Sequence, residues 1–137
     1  MAYSNFYARF YVICQRIGGA LSAIWRFLPS RWYLLFIALF QVLAWLQAWS
    51  IRHNLTGNLV VLHYNINFGT DLVGAPGEIF IYPLLGLGVF LLNFIILAAF
   101  RRHKDWRILV HILLGAAAVF GLFLSLVLLS IYLINFR

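Results

Sequence analysis

LVVLHYNINFGTDLVGAPG, residues 59–77, is the one stretch of this chain that is neither a continuous apolar run nor a basic flank. Apolar segments long enough to cross a bilayer stand on both sides of it, so its reading decides how the spans are joined and what lies beyond them. From Val61 the residues alternate, with Leu62, Tyr64, Ile66 and Phe68 on one side and Val61, His63, Asn65 and Asn67 on the other. A two-residue period predicts a strand over 60–68 with an apolar and a polar face. A lone strand is not stable in water, so its apolar face must rest on span ends, on the bilayer interface or on a partner. Gly69 and the GTDLVGAPG run, with Gly74, Pro76 and Gly77, read as tight turns leading into the next span. Asp71 or Glu78 near that helix start is favoured by the helix dipole.

Outward from this stretch the chain is overwhelmingly apolar. Of its 137 residues 65% are hydrophobic and 9% charged, and the mean hydropathy is +0.97, whereas soluble domains are about one-quarter charged. The expectation is an all-α integral membrane protein forming a single membrane domain, 1–137. The first span covers 32–50, bracketed by Trp32, Tyr33 and Trp49, aromatic residues that suit the membrane interfaces. The external loop is 51–78. The second span covers 79–100, with Pro83 in its first turns where a missing N–H costs least. A cytoplasmic turn at 101–107 leads to a third span at 108–136.

Before the first span, residues 3–28 carry Phe6, Phe10, Ile13, Cys14, Ile17, Leu21, Ile24 and Leu28 at three- and four-residue steps. Asn5, Arg9, Gln15, Arg16, Ser22 and Arg26 fill the other arc. That pattern predicts an amphipathic helix lying in the headgroup plane, bent or weakened at Gly18-Gly19 and ended by Pro29-Ser30.

The charge distribution sets the expected orientation. Arg9, Arg16, Arg26 and Arg31 precede the first span, and Arg101, Arg102, Lys104 and Arg107 dominate the turn between the second and third. Cytoplasmic flanks carry the Lys/Arg excess, so the N terminus and this turn are expected inside, with the 59–77 stretch and the C terminus outside. The formal charge of +7 sits in short flanks instead of along one face of a domain, which speaks against nucleic acid. It points to a bilayer with anionic headgroups as partner, alongside a protein partner or self-association.

Polar and small residues within the spans point to packing. Gln41 and Asn93 stand at comparable depth and are expected to hydrogen-bond across the first two spans. Gly115, Ala118, Gly121 and Ser125 place small residues at helical spacing, as do Gly86 and Gly88. Such faces let helices approach closely, within one chain or between copies.

Chemistry has little to work with. The acids are Asp71, Glu78 and Asp105, and there is one cysteine, Cys14. No catalytic, cofactor-binding or metal-ligating residue is expected, since His53, His63 and Asp71 make a thin ligand set and His111 has no histidine facing it from another span. The candidate contact surface is His63, Tyr64, Asn65, Asn67, Gly69 and Asp71.

The run HYNINFGTDLVG, followed by a proline-containing apolar helix, resembles a motif of small bacterial membrane proteins, the domain also found at the N terminus of SdpI-like immunity proteins. The matching residues are His63, Tyr64, Asn65, Gly69 and Asp71. The resemblance implies at most a small bacterial envelope protein and supplies no catalytic residues; the expected location is the bacterial cytoplasmic membrane. The functional expectation is a non-enzymatic structural or accessory subunit that meets partners through its external loop. The alternatives are an immunity protein against a membrane-active toxin and an oligomeric transporter or channel subunit.

Overall fold

The computed structural model describes residues 2–55, 57–65 and 69–136, with the side chains of 2–6, 16, 64, 65, 70 and 71 outside that description. In order the elements are α1 (Ala2–Arg26), α2 (Leu28–Asn54), β1 (Val60–Asn65), β2 (Gly69–Gly74), a 3₁₀ turn (Pro76–Phe80), α3 (Ile81–Ala99) and α4 (Trp106–Asn135). Three helical stretches, Leu28–Asn54, Pro76–Ala99 and Trp106–Asn135, are long and apolar enough to cross a membrane. Leu39, Leu46, Leu92, Ile95, Ile112 and Phe123 stand exposed along them, and helices that are apolar on their outer as well as their inner faces belong in lipid. The first begins earlier than residue 32, because Pro29 falls in its opening turn, where proline's fixed φ already suits a helix.

Helix α4 packs most extensively on α2 and then on α3. The small residues make this possible. At Gly121 an added Cβ would stand 3.2 Å from Phe40 Cβ, and at Gly115 it would meet the Tyr33 ring at 3.7 Å. The Ser125 hydroxyl donates to the Phe40 carbonyl at 3.5 Å, and Ala118 lies half-buried beside the same interface. Gly86 accommodates Gln41 and Leu124. The stripe in α4 is thus used between helices of one chain, while Gly88 faces open space.

Two apolar clusters cap the ends of the bundle. At one end Val60 and Leu62 of the hairpin join Ala44, Ala48, Ile51, Ile79, Leu128 and Ile131. At the other, Ile24 of α1 joins Ile37, Leu97, Val110, Leu114 and Ala117. Helix α1 continues through Gly18-Gly19 without a break; its Ala20 and Ile24 are buried, while Phe10, Ile13, Ile17, Leu21 and Trp25 are exposed. Phe27 alone separates α1 from α2. This sharp corner is tied by the buried Ser30 hydroxyl, whose one proton is shared between the carbonyls of Ile24 and Phe27. The Arg31 Nε–H donates to Trp25 O at 2.8 Å, so carbonyls left over at the end of α1 find partners.

Two further expectations change. GTDLVG is a second strand, not a series of turns, because its backbone pairs antiparallel with β1. Gln41 and Asn93 do not meet: Gln41 Nε2–H donates to Pro83 O at 2.7 Å and Asn93 Nδ2–H donates to Leu113 O at 2.9 Å. With α2 starting at Leu28, Gln41 lies 13 residues from the near end of its helix and Asn93 lies 6 from Ala99, a mismatch of about 10 Å at 1.5 Å per residue.

Candidate functional site

The hairpin is built by pairing two short strands of unequal quality. β1, VVLHYN, is rich in β-branched and apolar residues; β2, GTDLVG, carries two glycines and an aspartate, which disfavour strands. Partnership with β1 imposes the extended form. Val60 pairs with Gly74, Val61 with Val73, His63 with Leu72, Tyr64 with Thr70 and Asn65 with Gly69. Leu62 and Asp71 are the residues without a direct opposite, one on each strand, and this double irregularity increases local twist. Gly69 opens β2 at φ 78°, the left-handed region that glycine enters without penalty.

The expected alternation is visible in β1 from Val60 to His63, and the side chains of 64–68 lie outside the described residues. Val60 and Leu62 are buried while His63 is exposed. The apolar face rests on the ends of α2 and α4. Away from β2, the backbone of Val61 is held by Asn135 at the end of α4. The Asn135 Oδ1 accepts the Val61 N–H at 2.9 Å, and the Asn135 Nδ2–H donates to Val61 O at 2.9 Å. A side-chain amide here stands in for a neighbouring strand. Asn135 also donates to Ile131 O at 2.9 Å, which anchors the clamp to its own helix.

β2 forms the opposite edge of a sheet that has two strands among the described residues, and its Leu72 and Val73 are exposed. Between this edge and the start of α3 runs a groove of about 530 Å³ lined by Leu62, Leu72, Glu78, Phe80 and Tyr82 among others. Glu78 shapes it: its Oε1 accepts the Ala75 N–H at 3.3 Å, as expected of a residue near this helix start. A Cβ on Gly74 would collide with the Glu78 carboxylate and come within 2.7 Å of Leu62 Cδ1.

Of the expected contact residues, the structure places His63 on the exposed face of β1 and Gly69 at the start of β2. Tyr64, Asn65 and Asp71 have described backbone but lie outside the described residues in their side chains, and Asn67 lies outside altogether. Among the described residues, no three His, Cys, Asp or Glu side chains converge. Leu72, Val73 and Asn135 were not singled out by the sequence. The exposed pair was hidden in a run read as turns, and Asn135 reaches a partner 74 positions away.

Most of the basic residues gather at the other end of the bundle, while Arg52 stands exposed in the last turn of α2 at the hairpin end. The 101–107 turn is pinned by Trp106 Nε1–H donating to Leu97 O at 3.3 Å and by His103 N–H donating to Phe100 O at 2.9 Å. His103 and Asp105 stand 3.7 Å apart at the surface. The Arg31 guanidinium lies 5.3 Å over the Trp25 ring, that of Arg107 6.0 Å over Phe27, and Arg26, Arg102 and Lys104 are exposed. Arg9 is exposed further along α1, and the side chain of Arg16 lies outside the described residues. Beside them Tyr33 OH and His111 Nδ1 share a hydrogen bond of 3.0 Å.

The chain matches no family model, no curated protein and no solved structure.

Proposed function

We propose that this chain is a non-enzymatic accessory protein of a bacterial cytoplasmic membrane, and that its hairpin docks an extended segment of a protein partner. The observation that carries this reading is the asymmetry of the hairpin. β1 is paired with β2 along one side and held at Val61 by Asn135, while β2 presents an edge with exposed Leu72 and Val73 beside an apolar groove. A strand edge of this kind pairs through its backbone and selects through neighbouring pockets. The basic cluster at the opposite end supports an orientation with α1 and the 101–107 turn inside and the hairpin outside. In that orientation α1 lies in the inner interface with Phe10, Ile13, Ile17 and Leu21 toward lipid.

A photoreactive amino acid at Val73 should crosslink to a protein in native membranes, and one at the lipid-facing Leu39 should not. Introducing Leu72→Lys should abolish the Val73 crosslink, because charge on an edge strand opposes strand addition. A Val73 probe that labels only lipid would sink this reading.

A further inference from the structure

The groove between α1 and the 101–107 turn has a different chemistry from the hairpin end. Its volume is about 670 Å³, and it is lined by Val12, Gln15 and Gly19 of α1 with Ala98, Ala99, Arg101 and Arg102. Val12, Gln15 and Gly19 fall on one face of α1 by their three- and four-residue spacing. Small residues keep the groove open where α1 meets the end of α3. At Gly19 a Cβ would collide with Nη1 of Arg101 and stand 3.0 Å from its Cζ, whereas Gly18 next to it has nothing within 4 Å. Gly19 is therefore the seat of a half-buried guanidinium, and Arg102 adds an exposed one at the mouth. Among the described residues that line the groove there is no carboxylate, and the nearest acid in sequence, Asp105, faces His103.

We propose that this groove binds the phosphate of an anionic phospholipid headgroup. A guanidinium offers a planar fork of N–H donors that fits phosphate oxygens two at a time. Gln15 adds a side-chain amide at the wall. Ile95 and Phe100, exposed at the same end of α3, provide the apolar flank along which acyl chains run. The source of the phosphate is the membrane itself, since the groove lies where a helix long enough to span the bilayer reaches its end. This sharpens the general attraction of a basic flank for anionic lipid into a defined site, and it stands independently of what docks on the hairpin.

Native mass spectrometry of the full chain in zwitterionic detergent, with phosphatidylglycerol and phosphatidylcholine added in equal amounts, tests this directly. The wild type should retain phosphatidylglycerol in preference. The double change Arg101→Gln with Arg102→Gln should lower that retention roughly tenfold or more, the scale of lost charge-assisted hydrogen bonds. Gly19→Ala should lower it too, by pushing the Arg101 guanidinium from its seat, while Gly18→Ala and Lys104→Gln leave it unchanged. Equal retention of both lipids by the wild type overturns the proposal. So does a Lys104→Gln loss as large as that of the arginine pair, which marks a diffuse basic surface. Displacement of the lipid by inorganic phosphate assigns the site to a soluble anion and also overturns it. Because Gly19→Ala displaces only the end of a flexible side chain, its effect is read on a folded bundle.

Discussion

Replacing Asn135 with alanine should release the hairpin while leaving the helices assembled. The side chain satisfies both backbone groups of Val61 at 2.9 Å, and Val61 is half-buried. A backbone group left without a partner costs about 1–3 kcal/mol when buried. Water reaches a half-buried site, so the lower figure applies to each of the two groups, about 2 kcal/mol together. At 1.36 kcal/mol per factor of ten, that raises the open population of the hairpin about 30-fold. Hydrogen exchange of the Val60 to Leu62 amides in micelles reads this population directly. Exchange along α2 and α4 should stay as in the wild type, since Ala44, Ala48 and Leu128 remain packed. Asn135→Asp keeps an acceptor for the Val61 N–H but turns a carboxylate oxygen, which repels, toward Val61 O, so an opening of at least roughly fivefold is expected, the scale of one lost bond. Ser130→Ala is the matched control, because the Ser130 hydroxyl bonds only back to its own helix at Leu126 O. If Asn135→Ala leaves the Val60 to Leu62 amides as slow as before, the clamp does not hold the hairpin and the reasoning fails.

Three further outcomes follow from packing. Gly121→Val should cost about 1–3 kcal/mol by forcing α4 away from Phe40, while Gly88→Ala, with open space at its Cβ, should stay within about 0.5 kcal/mol of the wild type; unfolding curves in detergent compare them. Asn93→Ala removes the donor to Leu113 O and should lower stability by about 1 kcal/mol, the scale of interhelical hydrogen bonds in membranes, read in the same unfolding curves. Ser30→Ala removes the buried hydroxyl from the Ile24 and Phe27 carbonyls, which keep only the backbone N–H groups of Phe27 and Ser30, and should loosen α1 selectively, seen as faster amide exchange at its last turn with α3 unaffected.

The three membrane-crossing helices were legible because a bilayer demands long apolar runs, and Leu28–Asn54, Pro76–Ala99 and Trp106–Asn135 supply them. The inward face of β1 was legible too, since Val60 and Leu62 obey a two-residue period. What escaped depended on contacts distant in the chain. GTDLVG has the composition of a turn and becomes a strand through pairing with β1. The link between Gln41 and Asn93 failed because a small shift in the start of α2 changes which residues stand level. Nothing local marks Gly19 as a seat for Arg101 and Gly18 as empty, since that distinction arises only when α1 is laid against the end of α3.

The paired irregularities in the hairpin tie the lengths of its two strands together. Leu62 on β1 and Asp71 on β2 are each one residue more than the opposite strand matches, and the register is the same on both sides of them. Losing either residue alone would shift one half of the ladder and turn its side chains to the wrong face. Losing both together would restore a regular ladder with Val60 and Gly74 still opposed, but would also remove Leu62 from the cluster that seats the hairpin on the bundle. Drift in the length of one strand can therefore survive only when the other changes to match, so related chains should carry these two residues as a pair or lack them as a pair.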